Sequence, residues 1–324
     1  MTTSLLTDRV LPPGESFAHP ALSYRDEPDF LRTVGAFVRD GLEAGRPVLV
    51  LVPRPRLEAL RDRFGGDDGA VWTDMAEAGR NPGRVLSLLA GFTARHAGRP
   101  VRIVMEPIWP GRDRAETGEA ARLEALVNVA FADRPASFLC AYQEPALPRE
   151  VVALVRRAHP SLLGADAGRV RESAEYADPL AVCAQCATPL EEPAEPVAAL
   201  AYADGDLAAV RAFVSERLAG TALAPSRHSD LVLAVTEAAT NSLRHGGGRG
   251  ALRLWTTRGE GAGRVHVETR DAGRLDDPLA GCFRPDPAAA SGGRGLWMIN
   301  ELCDLVRIRS SADGLVLRMS MDLR

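Results

Sequence analysis

The chain contains no lysine; all 39 of its basic residues are arginine. That absence excludes a lysine-containing P-loop, a Schiff-base lysine and a Ser–Lys dyad. The broad positive field of a nucleic-acid binder is also missing, because the formal net charge is −4. The arginines at 54, 56, 61 and 63 read instead as a solvated helix face. Cysteine is sparse, and positions 140, 183, 186, 282 and 303 form an odd, scattered set. Such a set belongs to a reducing compartment without disulfides. Cys183-x-x-Cys186 is half a zinc site with no second pair at a suitable spacing, so plain linker thiols are expected. Long apolar runs are absent too. The longest strongly apolar stretch is Val48–Val52, far too short for a membrane span, and the first residues lack the apolar run of a signal peptide. The expectation is a cytoplasmic protein with no membrane and no direct nucleic-acid partner.

What is present is enough for two domains: 324 residues with 46% apolar content. In the first half, Val48–Val52, Val101–Met105 and Ser137–Ala141 read as short buried strands. Helical patterns lie around them, over 28–44, from Asn81-Pro82 to about Ala97, and over 117–132. This alternation predicts an α/β domain with a parallel, doubly wound sheet over residues 1–177. Residues 178–196, with four prolines and two adjacent glutamates, read as a linker. The second half, 197–324, places strands 198–203, 252–257, 265–270, 305–310 and 315–321 beside helices near 205–219, 229–245 and 295–303. Consecutive strands joined without helices predict an α+β domain: an antiparallel or mixed sheet with helices on one face.

One window of that half carries three polar pieces in order: Glu237-x-x-x-Asn241, Asp271-x-Gly273 and Gly293-x-Gly295. Single pieces mean little, since Glu77/Asn81, Glu124/Asn128 and Asp-Ala-Gly-Arg at Asp166 repeat them elsewhere. Together they predict an ATP–Mg²⁺ site. Asn241 offers a neutral oxygen to Mg²⁺, and Glu237, one turn earlier, can polarise an attacking hydroxyl. Asp271 can accept from an adenine amino group, and Gly273 lets the base approach the backbone. Gly292-Gly-Arg-Gly-Leu296 opens a helix whose free N–H groups suit phosphates, with Arg294 adding charge. The long polar loop 272–294 reads as a lid, and Cys282 within it as an inert thiol by default, oxidisable only if exposed.

The segments 237–245, 271–274 and 292–300, followed by Leu302–Val306, resemble the N, G1 and G2 boxes of GHKL-type ATPases. The nearest likeness is to anti-sigma-factor serine kinases of the RsbW type, over about residues 197–321. The resemblance implies a Bergerat-type fold, with Asn241 on Mg²⁺, Glu237 as catalytic base and Asp271 on adenine. It also implies that Gly273, Gly293, Arg294, Gly295 and Leu296 serve the nucleotide or its lid. The second glycine of the common G1 box is absent, and Leu275 stands there.

The first half, over about 15–177, resembles the MEDS sensory domain. The likeness lies in His19–Arg25, Gly41–Gly45, Asp74–Arg84 and Glu106-Pro-Ile-Trp-Pro-Gly-Arg112. It implies a small-molecule ligand, and His19, Tyr24, Glu106, Trp109 and Arg112 are candidates to line its pocket beyond the strands' carboxyl ends. The combined expectation is an ATP-dependent serine/threonine protein kinase in a partner-switching pathway. By resemblance its partners are a sigma factor and a STAS-type anti-sigma antagonist, and the ATPase domain forms a homodimer. The alternative is a nucleotide-gated protein-binding module without kinase activity.

Overall fold

Short apolar strands need cover on both faces, and the first half supplies it with amphipathic helices. The computed structural model describes residues 17–65, 69–164, 170–194, 197–257, 263–286 and 293–323. The chain divides into two compact units, Met1–Cys186 and Ala187–Arg324.

The first unit is built on one sheet of β1 (Phe17–Ala18), β2 (Pro20–Tyr24), β3 (Val48–Val52), β4 (Val71–Asp74), β5 (Val101–Met105), β6 (Ala136–Gln143), β7 (Ser161–Gly164) and β8 (Val170–Glu172). The order is β4-β3-β5-β6-β2-β7-β8, with β1 also paired to β6. All pairings are parallel except that of β7 with β8. Every residue of β3 and β5 is buried, which is why β3 is a continuous apolar run rather than an alternating one; β5 departs from such a run at Arg102, whose Nη1 donates to Phe37 O at 2.5 Å. The connecting helices are α1 (Glu27–Glu43), α2 (Arg54–Phe64), α3 (Met75–Ala78), α4 (Pro82–Arg95), α5 (Arg114–Ala130) and α6 (Arg149–Ala158). Their starts follow local chemistry. Asn81 caps α4 by accepting from Gly83 N at 3.3 Å, with Pro82 in the first helical position, and Asp113 and Glu116 form a capping box on α5.

One further helix, α7 (Pro179–Cys186), lies in the stretch expected to be an aperiodic linker. Asp178 caps it by accepting from Ala181 N at 2.9 Å, and Pro179 occupies its first position. It buries Val182, Cys183 and Cys186 and packs on α5 and α6, so both cysteines belong to the first unit. Burial raises the Cys183 thiol to about 11, which keeps it protonated at neutral pH.

The second unit comprises β9 (Ala198–Ala203), α8 (Leu207–Leu218), α9 (Pro225–His245), β10 (Arg249–Thr257), β11 (Arg264–Asp271), α10 (Arg294–Leu302), β12 (Leu305–Ser311) and β13 (Gly314–Asp322). The sheet is wholly antiparallel in the order β12-β13-β11-β10-β9. Period-two alternation sends Leu252, Leu254, Val265, Val267, Leu317 and Met319 toward the helices, where Val210, Val214, Leu231, Val235 and Ile299 meet them.

The other face of this sheet is ionic. Glu268 stands between Arg253 and Arg318 in the strand register and has no exposure. It accepts from Arg318 at 2.6 and 2.8 Å, from Arg270 at 2.7 Å and from Arg253 at 3.3 Å. The segment 188–192 lies along this face. Glu192 accepts from Arg253 and Arg270 at 2.7 Å each, Arg318 donates to Glu191 O, and Arg309 donates to Thr188 O. The adjacent glutamates read as linker are therefore a strap held on the sheet. Replacing Glu268 by alanine leaves buried Arg318 without its carboxylate, and urea unfolding should show a loss of about 3–5 kcal/mol. A loss under about 1 kcal/mol would mean that the ionic cluster is dispensable.

Candidate functional site

The face of α9 that packs on the sheet is apolar, with Leu231, Ala234, Val235, Ala238 and Ala239 buried. That packing fixes the partly exposed edge on which Glu237 and Asn241 stand one turn apart. The first turn of α10 is laid against this edge. A Cβ added to Gly295 would stand 3.0 Å from Glu237 Oε2 and 3.2 Å from Asn241 Nδ2. Any side chain there would crowd both groups, so glycine lets the helix backbone itself approach them. Gly293, ahead of the helix, has φ +94, a left-handed conformation that glycine adopts without strain. The N-terminus of a nine-residue helix, with its free N–H groups, thus faces the Glu237–Asn241 edge.

Asp271 closes β11, and two donors hold its carboxylate: Ser242 Oγ at 2.5 Å on Oδ2 and Gly273 N at 2.8 Å on Oδ1. A carboxylate has about four acceptor directions, so two remain for a ligand's N–H. Any side chain at Gly246 would collide with this carboxylate, and Ala272 N donates to Gly246 O at 3.2 Å. The C-terminus of α9 is laced in this way to the Asp271 turn. Leu296 is partly buried against the core, and Arg294 is exposed.

One expectation for the loop 272–294 changes. The described part is anchored: Gly281 packs against Leu296, Asn300 Nδ2 donates to Gly281 O at 3.1 Å, and Leu275 N donates to Ser310 Oγ at 3.0 Å. Cys282 is buried, because the turn around Gly281 folds onto α10, so it is not an exposed thiol. Residues 287–292, including Gly292 and Pro287, lie outside the described residues, as do Asp166 and Pro196.

The five candidates for a pocket in the first unit fall into two pairs, Tyr24 with Glu106 and Trp109 with Arg112, and His19, which has other partners. Tyr24 Oη donates to Glu106 Oε1 at 2.7 Å, at the carboxyl ends of β2 and β5. Arg56 completes that pair, with Nε 3.3 Å from Glu106 Oε2, Nη2 donating to Gln143 Oε1 at 2.7 Å, and its guanidinium 5.3 Å from the Tyr24 ring centroid. Arg56 is therefore turned inward rather than solvated, because a fully buried carboxylate faces it. Arg112 lies over Trp109 at 3.9 Å and donates to Gly79 O at 2.6 Å. His19 is fully buried beside Asn128 and Glu124. A cleft of about 870 Å³ opens beside β2 and β7, lined by Arg25, Glu144, Arg149, Arg156 and Arg171; of the five candidates only Tyr24 lines it.

Residues 18–160 match the family model of MEDS, the MEthanogen/methylotroph, DcmR Sensory domain, and residues 200–321 match that of the histidine kinase-like ATPase domain. The chain joins a MEDS domain to a histidine kinase-like ATPase domain. No curated protein matches it. Among solved structures, the RsbU and RsbW domains of Rv1364c from Mycobacterium tuberculosis share 18% identity with a TM-score of 0.29. The match covers 67% of this chain and 50% of that one, so this chain spans half the length of that neighbour.

In the ATPase domain, the sequence motif supplied Glu237, Asn241, Asp271 and the glycines, and it passed over Ser242 and Gly246. Ser242 follows Asn241 directly, and its position one residue further round the helix is the signal that it faces a different neighbour. In the MEDS domain, Arg56 and Gln143 were missed because neither follows a strand in an obvious motif.

Burial raises the Glu106 carboxyl to about 7, with the Arg56 charge and the Tyr24 hydrogen bond opposing part of the rise. The folded state then binds more protons than the unfolded state between the two values, so MEDS-domain stability falls as pH rises through that window. Hydrogen exchange of β3 and β5 amides, corrected for intrinsic rates, should show opening cheaper by about 1–3 kcal/mol at pH ~7.5 than at pH ~5. Glu106→Gln should remove the difference; an unchanged pH dependence in that variant would assign it to other groups.

Proposed function

We propose that the ATPase domain binds ATP with Mg²⁺ and acts as a serine/threonine protein kinase in a partner-switching pathway, with the MEDS domain as its small-molecule sensor. The observation that carries this reading is the meeting of Glu237, Asn241 and the N-terminus of α10 through Gly295. The residues fit the group. Asn241 brings a neutral amide oxygen of the kind Mg²⁺ accepts alongside water and phosphate oxygens. The α10 N-terminus, with Arg294 beside it, suits phosphate charge. Asp271, already held by Ser242 and Gly273, retains acceptor directions for the adenine amino group.

When bound, ATP–Mg²⁺ supplies the phosphoryl group and the counter-charge for its transfer. Glu237 would receive the proton of a substrate hydroxyl as its oxygen becomes the nucleophile. The expected substrate is a serine on a STAS-type antagonist, and the added negative charge would weaken that protein's docking. The second client would be a sigma factor, held by a homodimer of the ATPase domain in the cytoplasm. A second reading has nucleotide gating partner binding without transfer. Leu275 supports it, since it stands where a second glycine is common and is tied to Ser310.

The two readings separate on transfer of radiolabelled γ-phosphate from ATP to a STAS-type antagonist. The kinase reading expects labelled phosphoserine with wild type and a loss of at least ~100-fold with Asn241→Ala. Nucleotide and antagonist binding by wild type with no label transferred would remove it and leave the gating reading.

A further inference from the structure

A second convergence of polar groups lies in the MEDS domain and serves none of the chemistry above. His19 precedes β2, Glu124 sits on α5, Cys140 is central in β6, and His159 follows α6. None of the four has any exposure. His19 Nε2 lies 3.1 Å from Glu124 Oε2 and 3.2 Å from Cys140 Sγ, and His159 Nε2 lies 3.3 Å from the same Glu124 oxygen. All four ligating atoms fall within 4.8 Å of one another. Metal–ligand bonds of about 2.0–2.3 Å in a tetrahedron separate their ligand atoms by about 3.3–3.8 Å; the three closest pairs here, at 3.1, 3.2 and 3.3 Å, lie near the lower end of that range.

The outer partners fix what points inward. Asn128 Nδ2 donates to Ala158 O at 2.7 Å and to Glu124 O at 3.2 Å, so Asn128 Oδ1 is the atom facing His19 Nδ1 at 3.0 Å. An amide oxygen only accepts, so His19 carries its proton on Nδ1 and turns the lone pair of Nε2 to the centre. His159 Nδ1 lies 2.7 Å from Val155 O, another obligate acceptor, so its Nε2 lone pair faces the centre as well. Tyr142 Oη donates to Glu124 Oε1 at 2.5 Å, leaving Oε2 for the centre. These amide, carbonyl and hydroxyl contacts are of the kind that orient ligands around a metal ion.

Counting protons sharpens the point. Two imidazole lone pairs and a carboxylate oxygen converge. Among the described residues the Cys140 thiol is the donor set between them, since Tyr142 Oη, 3.4 Å from His159 Nε2, already donates to Glu124 Oε1. Converging acceptors in a dry interior, walled by Phe17 and Phe138, need a cation.

We propose that His19, Glu124, Cys140 and His159 form a buried four-ligand site for a divalent transition-metal ion of the zinc class. Nitrogen and sulfur donors select such an ion over Mg²⁺ or Ca²⁺, and four protein ligands with no open position make the site one that ties β2, β6, α5 and α6 together. Binding releases the Cys140 proton, so the centre holds a thiolate, a carboxylate and two neutral imidazoles around the dication.

The test is Co²⁺ loading of the full chain after chelator treatment and dialysis. The site expects one equivalent per chain, a thiolate-to-cobalt charge-transfer band in the near ultraviolet, strong visible d–d bands and a higher unfolding temperature. Cys140→Ser should abolish the charge-transfer band, and Asn128→Leu should weaken uptake roughly 10–100-fold. The Cys183→Ser/Cys186→Ser double variant should keep the band. Folded wild type that takes up no Co²⁺ would overturn the proposal. So would a band that survives Cys140→Ser or disappears with the double variant. Because wild type is read first, a variant that fails to fold does not rescue the idea.

Discussion

The ATPase domain depends on one close approach, that of the α10 backbone at Gly295 to the Glu237–Asn241 edge of α9. Neither helix could be placed there by its own sequence. The apolar face of α9 sits on the antiparallel sheet, and Ile299 of α10 enters the same core, so burial of one apolar layer positions both elements. The polar edge is what remains when that layer is satisfied. The Asp271 turn joins it through Ser242 and the missing side chain of Gly246, which brings the three sequence pieces into one continuous surface.

The back of the sheet needs a different solution. A face carrying Arg253, Glu268, Arg270 and Arg318 would be costly to bury unpaired. Here Glu268 and the strap's Glu192 pair with the three arginines, and the Glu191 carbonyl accepts from Arg318. One sheet therefore carries an apolar face that positions the candidate site and an ionic face that anchors the segment entering the domain.

Much of this was legible in the sequence, for reasons that differ by element. Strand β3 lies where its unbroken apolar run predicts, because burial on both faces favours that composition, and β5 follows the same rule with Arg102 as its one interruption. The start of α4 followed from Asn81-Pro82, a local signal that needs no tertiary context. Asp178-Pro179 carries the same signal for α7, but the prolines after it read as linker and masked it. Arg56 was lost in a run of arginines because only the fold sets a buried carboxylate opposite it. The pair Glu124/Asn128 repeats the spacing of Glu237/Asn241, and by spacing alone it looked like a coincidence. In the structure both of its members hold His19, a contact spanning more than a hundred positions that no local pattern encodes.

The two domains thus place the same helical spacing in opposite settings. Glu124 and Asn128 are sealed among histidines and a thiol, whereas Glu237 and Asn241 lie at a partly open edge beside a helix N-terminus. Water access decides which pair can serve an exchangeable ligand. The most direct measurement of this account is calorimetric titration of the full chain with ATP, with and without Mg²⁺, on wild type and Asp271→Asn. The account predicts saturable binding strengthened by Mg²⁺ and weakened roughly tenfold or more in the variant. No binding by wild type, or equal affinity in both proteins, would contradict it.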